Sequence, residues 1–575
     1  MSRCAEALAE ALPRAEHAPP AKHVPTKPAT FEDLGLHPPI VAALRTAFPN
    51  IIHPTETQAR FIPAILTGKD VLLKDETGSG KSFGLVVALL NKPRVKSQEK
   101  GGKPHITSLV LVPHRDLAHQ LYHWIQKMAV ASLVHPPPSM ASVAQVLVRD
   151  GVTHLTEGLR SLRQTPPHIL IGTPQAIMDL YKEDPEALQL HHLSSVVVDE
   201  VDYLIETVPN KDPKKSFHKS FVKASRKLLA HPGVTRQLLD IIYARRKEMN
   251  ERRRDEPGVT QHLRRTGKSD SQTFSTSPQL IFSSATLRSH LNNYLFDESG
   301  WLNKDYLVKV KGSRKPAEPK RSAEQYPHDG LGGNGVLHSV LLVSDEQIRN
   351  IEEAVPPPSV LENGDLQPIS ADTLFAPSAN AEPAENDPEL ARKYAGTPTP
   401  FNPNMLEAVA TAFALDVPSV ALLVLPGNSP VRRAVYELRE MGVNAQELDL
   451  LTDEKGRAHL LRGGATAQDN PTLLVATLAT TRGLDLPELS HVFILGIPEG
   501  PKINGRTVDA YVHIAGRVGR FGRGGKVITV VEKQKDAETV EEGEGEGRRV
   551  VTEGSKMVRI LNTIQERPVQ FEHFD

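Results

Sequence analysis

The chain has 575 residues, 39% of them hydrophobic, which is enough for more than one globular core. Its single cysteine, Cys4, excludes an intramolecular disulfide frame and a multi-cysteine metal site, and points to a reducing, intracellular setting. A formal net charge of -1 excludes a globally basic nucleic-acid binder, so any such partner must meet local basic surface, and no apolar run reaches membrane-spanning length.

Residues 1 to 30 read as a flexible extension. Its start, MSRCAEALAEALPRAEHA, suits a short Ala-rich helix, but Glu6, Glu10 and Glu16 outnumber Arg3 and Arg14, whereas organelle transit peptides are acid-poor. Between 71 and 285 come VLL, SLVLVP, HILIG, SVVVDE and LIFSSA, separated by stretches of helical length. Near-continuous apolar runs of this kind are the mark of parallel strands covered on both faces. The first unit is expected over 31 to 310.

Within it, the strand VLLK leads into DETGSGKS, residues 75 to 82, and then into the apolar helix FGLVVALL. Strand, glycine loop and helix are the setting a phosphate-binding loop requires. Backbone N–H groups of Thr77, Gly78, Ser79, Gly80 and Lys81 can surround a polyphosphate at a helix N-terminus. Lys81 would pair with the β and γ phosphates and Ser82 would ligate Mg²⁺. Asp75 stands where the strict pattern has its first glycine; a chance glycine turn is the bland alternative, which the flanks disfavour. Downstream, SVVVDEVDYL projects Asp199 and Glu200 from a strand's carboxyl end, where open α/β sheets bind ligands. Asp199 would hold the Mg²⁺ shell and Glu200 would orient or deprotonate an attacking water, with Asp202 two residues beyond.

Residues 207 to 270 read as a basic insertion: 209 to 268 hold 17 Lys and Arg against 6 Asp and Glu. It is either a solvated charged helix pair or an RNA-contacting arm. Residues 311 to 400 join two units, and 355 to 400, rich in Pro, Ala, Asn and acids, read as largely disordered. The run VLHSVLLV at 336 to 343 is expected to return as an edge strand of the second unit. That unit, over 401 to 532, is announced by SVALLVLP, TLLVAT, HVFILGIP and KVITVVE, and 533 to 575 are expected to be an acidic loop and tail. Two tandem α/β units with parallel sheets are the simplest fold. The stretch HIAGRVGRFGRGG sets Arg517, Arg520 and Arg523 three residues apart; like charges on one helical face repel, so an anion is the economical reason for them, a solvated basic helix end being the alternative.

With these residues in place, the chain resembles the DEAD-box RNA helicases of superfamily two over most of 31 to 530, outside the insertions. FEDLGL with HPTETQ is similar to the family's adenine-reading motif, which implies Phe31 stacked on the base and Gln58 bonded to its edge. DETGSGKS, DEVD and SAT at 284 to 286 take the places of three further motifs, implying that Ser284 and Thr286, with Asp202 and His513, couple hydrolysis to strand separation. VPHRDLA and GTPQA imply Arg115 and Thr173 on the RNA backbone. VATLATTRGLD implies Thr477 and Arg482 near RNA, and Gly483 and Asp485 near the nucleotide ribose. HIAGRVGRFGR resembles the motif whose arginines reach across an interdomain cleft, making Arg517 and Arg520 arginine fingers and leaving Arg523 without a duty. The resemblance implies two RecA-like domains, ATP and Mg²⁺ as cofactors, RNA as partner, a monomer, and no membrane.

Four departures touch RNA contacts and interdomain coupling: Ile514 where the family has arginine, Gln175 and Ala176 for Gly-Arg, and Leu478 for aspartate; Val201 for alanine is a small change. The expected function is an ATP-dependent RNA helicase that remodels RNA duplexes or RNA–protein complexes, with ribosomal particles as a narrower partner class. A non-catalytic RNA-binding scaffold is the alternative, and a DNA translocase a third. The spread arginine motif and basic insertion are also similar to divergent fungal mitochondrial members, which suggests a mitochondrial address, with nucleus or nucleolus as the alternative.

Overall fold

In the computed structural model the apolar runs form two seven-stranded sheets. The structure describes residues 29–94, 104–132, 138–149, 154–207, 226, 228, 230–255, 277–312, 336–357, 388–448, 471–481, 489–499, 505–518, 524–533 and 552–574. The first sheet contains β1 (Asp70–Lys74), β2 (Ser108–Leu111), β3 (Ala144–Leu147), β4 (Ile169–Gly172), β5 (Ser195–Val198), β6 (Gln279–Ser284) and β7 (Leu307–Lys311), in the order β3-β4-β2-β5-β6-β1-β7. All its pairings are parallel. The second contains β8 (Val336–Val343), β9 (Ile348–Asn350), β10 (Val420–Leu425), β11 (Ala445–Glu447), β12 (Thr472–Thr477), β13 (Leu489–Leu495) and β14 (Gly525–Glu532), in the order β11-β12-β10-β13-β14-β8-β9. Only β9, against β8, runs antiparallel.

The strands read as continuous apolar runs because each sheet is buried on both faces, and the period of two divides every run between two cores. Val71, Val110, Ile171, Val197 and Ile281 enter one core of the first lobe; Leu72, Leu111, Leu170, Val198 and Phe282 enter the other. In the second lobe Leu422, Val492 and Val527 face one core, and Leu423, Phe493 and Ile528 face the other. Each such side chain contributes about 1.5–3 kcal/mol of burial. Crossover helices start on local signals: Thr55 and Gln58 close a reciprocal capping box on Glu56–Leu66, and Asn402 caps Pro403–Asp416. No helix among the described residues is long and apolar enough to cross a membrane.

Four expectations change. Helices Val234–Ile242 and Ala244–Asp255, inside the supposed basic insertion, pack into the first lobe: Leu238, Leu239 and Tyr243 are in its core. Arg246 is buried there, donating to Asp70 Oδ2 at 2.7 Å and to the carbonyls of Trp301 and Pro278. Arg236 lies over the Tyr294 ring and donates to its hydroxyl. Local charge counts cannot see this, because an arginine closed by partners adds nothing to surface potential; 208–225 and 256–276 lie outside the described residues. Second, β8 is not the edge strand, since β9 pairs along its outer side. Third, Pro388–Tyr394 is helical and packs beside Val431–Glu440, where Arg433 donates to Tyr394 O, so this end of the expected disordered stretch is ordered; 358–387 lie outside the described residues. Fourth, the C-terminal segment is no simple tail. Helix Glu553–Thr563 buries Met557, Ile560 and Leu561 in the second lobe, and Phe571 is held by Asn350.

Candidate functional site

Parallel strands all end on the same side, so the loops after them gather along one edge. At the centre of the first lobe this brings together the loops after β1, β5 and β6. In the phosphate loop Gly78 and Gly80 take φ of +83° and +79°, a left-handed backbone that glycine adopts without a Cβ penalty. The loop then enters helix Lys81–Leu90. Lys81 is buried and donates through Nζ to the carbonyl oxygens of Asp75, at 2.8 Å, and Glu76. Desolvation lowers its pKa, while Glu200, Asp75 and Asp199 oppose that shift. The loop is pinned from the helix before β1: Thr55 Oγ1 donates to Ser79 O at 2.9 Å, and Gln58 Nε2 donates to Gly80 O at 2.9 Å.

Beside it, Ser82 Oγ donates to Asp199 Oδ2 at 2.6 Å. Asp199 is buried, and desolvation together with the neighbouring Glu200 pushes its pKa up to about 6. Glu200 has φ of +54°, uncommon for a residue with a side chain, and its Oε2 is buried with no hydrogen-bond partner among the described residues. A strained carboxylate short of donors is an arrangement found at functional sites. Asp202 is the satisfied member: it accepts from Ser284 Oγ at 2.8 Å, Thr286 Oγ1 at 2.6 Å, and His513 Nε2 at 3.2 Å. Burial raises its pKa, but the hydrogen bonds and charge of His513, with Thr286 and Ser284, outweigh burial and hold it well below the usual range. His513 Nδ1 stands 3.8 Å from Glu200 Oε2, so one imidazole bridges both carboxylates from the other lobe.

Helix Gly505–Ala515 brings that histidine in, and Arg517 follows it. Arg517 is 2% exposed, donates through Nε to His513 O at 3.0 Å, and faces the same cleft as Lys81 and Glu200. A Cβ on Gly516 would fall 2.0 Å from Thr77 Oγ1, so any side chain there would have to push Thr77 aside where the second lobe meets the phosphate loop. Arg288 to Asp509, at 2.7 Å, and Arg506 to Glu206, at 3.5 Å, are further ion pairs between the lobes.

The cleft, about 500 Å³, continues past the loop to Phe48, Ile52, His53, Gln120 and Trp124. Phe31 does not reach it. Phe31 is 1% exposed inside the first core, which corrects the expectation that it stacks on a base. The aromatic wall is instead Phe48, edge-on to Phe83, which is edge-on to Trp124. The signal missed was the apolar stretch AFPNII just before the HPTETQ motif, which cannot face solvent on every side. Gln58 lines the cleft, but its amide is engaged by Gly80 O and Thr55 N.

The three described RNA candidates stand at strand-ending edges, Arg115 and Thr173 on the first sheet and Thr477 on the second. Arg115 opens helix Arg115–Val130 after β2 with its side chain 43% exposed, Thr173 precedes helix Pro174–Glu183 after β4, and Thr477 ends β12. Ile514, Leu478 and Ala176 are buried, whereas Gln175 is partly exposed and reaches Asp179. Arg482, Gly483, Asp485, Arg520 and Arg523 lie outside the described residues.

Comparison with known proteins agrees with this layout. Residues 55–230 match the DEAD/DEAH box helicase family model and 419–522 match the helicase conserved C-terminal domain. The ATP-dependent RNA helicase mak5 of Aspergillus terreus is 26% identical over 512 residues, 87% of this chain and 52% of that protein. The probable ATP-dependent RNA helicase DDX28 of Homo sapiens is 32% identical over 34% of this chain and 34% of its own. The chain thus spans about half or less of the curated relatives it matches. Among solved structures, Saccharomyces cerevisiae Dbp5 bound to RNA and ADP BeF3 superposes with a TM-score of 0.50 at 15% identity, covering 93% of this chain and 92% of that one. Mss116p bound to ssRNA and AMP-PNP gives 0.51 at 16%, covering 88% and 76%. Two family-model matches falling on two α/β lobes, with the loop, carboxylates and arginine gathered at one cleft, make the chain a member of the DEAD-box helicases of superfamily two.

Proposed function

We propose that the chain is an ATP-dependent RNA helicase that hydrolyses ATP to remodel RNA duplexes or RNA–protein complexes. The observation that carries this is the contact network in which Ser284 and Thr286 meet Asp202, Asp202 and Glu200 both meet His513, and His513 meets Arg517, which joins a hydrolytic edge on one lobe to a cation on the other. ATP would place its base against the Phe48 side of the cleft and its phosphates on the loop, displacing Lys81 Nζ from the loop carbonyls onto the β and γ oxygens. Glu200, whose Oε2 has no hydrogen-bond donor among the described residues, would accept a proton from the attacking water. Arg517 would neutralise charge on the transferring phosphoryl group, and Arg520 is proposed to join it. Gly483 and Asp485 keep their proposed place at the ribose.

Magnesium fits the donor set. Ser82 Oγ and Asp199 are hard oxygen ligands, and a buried carboxylate whose pKa is raised by desolvation and a like-charged neighbour lacks counter-charge that a divalent cation supplies. When bound, the ion would screen the phosphate oxygens.

RNA would lie across both strand-ending edges, held at its backbone by Arg115, Thr173, Thr477 and Arg482, with little base readout. Because His513 reaches Asp202 only when the lobes meet, closure on RNA and completion of the hydrolytic site become one event. Ribosomal particles are the partner class to test first, by cosedimentation of the tagged chain. A mitochondrial or nuclear address is tested by a fluorescent fusion of residues 1 to 40.

The decisive assay is RNA-stimulated ATP hydrolysis by the purified chain beside Glu200→Gln. RNA should raise turnover, and the substitution should lower it about 100-fold or more while ATP still binds. Turnover indifferent to RNA and to the substitution would favour the scaffold reading.

A further inference from the structure

We propose that Gly312 and Thr57 are positioning residues that turn the Asp75 carboxylate away from the phosphate path, so that the chain leaving β7 gates polyphosphate binding. The proposal rests on the ATP reading of the site given above. Asp75 is the first residue of the phosphate loop, and an anion at that point repels the polyphosphate the loop is shaped to take.

In the structure that carboxylate is parked. Its Oδ2 accepts from the Thr57 hydroxyl, and its Oδ1 accepts from Glu76 N–H at 2.8 Å. Behind it lies Gly312: a Cβ built there would fall 1.8 Å from Oδ1 and 2.6 Å from Cγ of Asp75. The seat is therefore the space of a missing side chain. Gly312 N donates to Lys74 O at 2.9 Å, and Arg60, on the same helix as Thr57, donates to Lys311 O at 2.6 Å. These bonds tie the seat to both the helix before β1 and the end of β7. Residue 75 also touches the catalytic lysine, because its carbonyl accepts from Lys81 Nζ.

Residue 312 is the point where the chain leaves the first lobe toward the second. Movement there that closes the seat expels a negative charge beside the phosphate loop, and movement that opens it readmits the charge. Chain geometry between the lobes is thereby converted into electrostatic permission for ATP, separate from the contacts of His513 and Arg517.

The test is equilibrium binding of a fluorescent ATP analogue, with adenosine as a competitor, to the full chain and its variants. Gly312→Ala should weaken ATP binding about tenfold and adenosine binding less than about twofold, because repulsion scales with ligand charge. Adding Asp75→Asn, which keeps the shape and removes the charge, should return ATP affinity to within about threefold of Asp75→Asn alone. Equal losses for ATP and adenosine, or no recovery, overturn the proposal. If Gly312→Ala does not fold, Thr57→Val frees the carboxylate without adding bulk; it should show the same charge-dependent loss and recovery, and unchanged ATP affinity overturns the proposal. A parent chain that binds no ATP removes the nucleotide reading and this inference with it. A parent that binds, with no charge-dependent loss in the variants, removes this inference alone.

Discussion

The two ends of the sheets treat buried charge in opposite ways. At the strand-starting end Asp70 and Asp416 are each closed within their own lobe. Asp70 is met by Arg246 at 2.7 Å and by the N–H groups of Leu280 and Asn303, and Asp416 is met by Lys526 at 2.7 Å and His491 at 3.0 Å. At the strand-ending end the account is left open within the first lobe: Asp199 is raised to about 6, Glu200 Oε2 has no hydrogen-bond partner among the described residues and faces His513 of the second lobe at 3.8 Å, and Asp202 takes a donor from that lobe. Buried charges closed locally fix a fold; those needing something from outside the lobe mark where a ligand or a second body enters.

Substitutions at each end break or sharpen that contrast. The largest effect is expected at Arg246→Ala, which leaves Asp70 buried with two N–H donors but without its guanidinium counter-charge and should cost about 3–5 kcal/mol in urea unfolding of the first lobe. A loss below about 1 kcal/mol would show the pair is not what closes that end. Next is Arg517→Ala, expected to lower turnover about 100-fold with nucleotide affinity changed only a few-fold, because its charge acts on the transition state. Equal loss in both quantities would make it a binding residue.

Asp416→Asn tests the closed end of the second lobe through pH. Burial raises the Asp416 pKa, yet hydrogen bonds from His491 and Lys526 outweigh it and hold the group at about 2 against an ordinary 3.8. A depressed carboxylate stabilises the folded state above its unfolded pKa, and that stability is lost as pH falls from about 4 toward 2. The parent should therefore lose about 2 kcal/mol across that window, and the variant should lack both this stability at neutral pH and this acid limb. Arg288→Ala is the smallest: its ion pair with Asp509 is partly exposed, worth about 0.5–1 kcal/mol, so the RNA concentration for half-maximal ATPase should rise about two- to fivefold. No change would show that this ion pair does not contribute to closure.

Much of this molecule was legible in its residues because the informative features are local. The long apolar runs of β10, β12, β13 and β14 announce doubly covered strands, and DETGSGKS with DEVD announces its chemistry within eight residues and four. Short strands such as β9 and β11 carry too little pattern to be told from loops. Phe31 and Phe48 are both aromatic residues upstream of Gln58; the apolar stretch around Phe48 is a weak signal, and only packing shows that Phe31 is buried in the core while Phe48 faces the cleft. Arg246 counts as charge of the basic stretch in the sequence because its partners, Asp70, Pro278 and Trp301, are distant in the chain.

The sequence by itself determined two parallel-sheet lobes, a phosphate loop, an acidic strand end and an arginine-bearing helix end, since periodicity and short-range chemistry need no knowledge of the fold. Only the tertiary structure decided what meets what: His513 on Asp202 across 311 residues, Gly516 against Thr77, and Gly312 behind Asp75. Contacts of that range depend on how strands order themselves in a sheet and on how closely two backbones approach. Both are set by packing of the whole chain, and neither is written in the residues adjoining the contact.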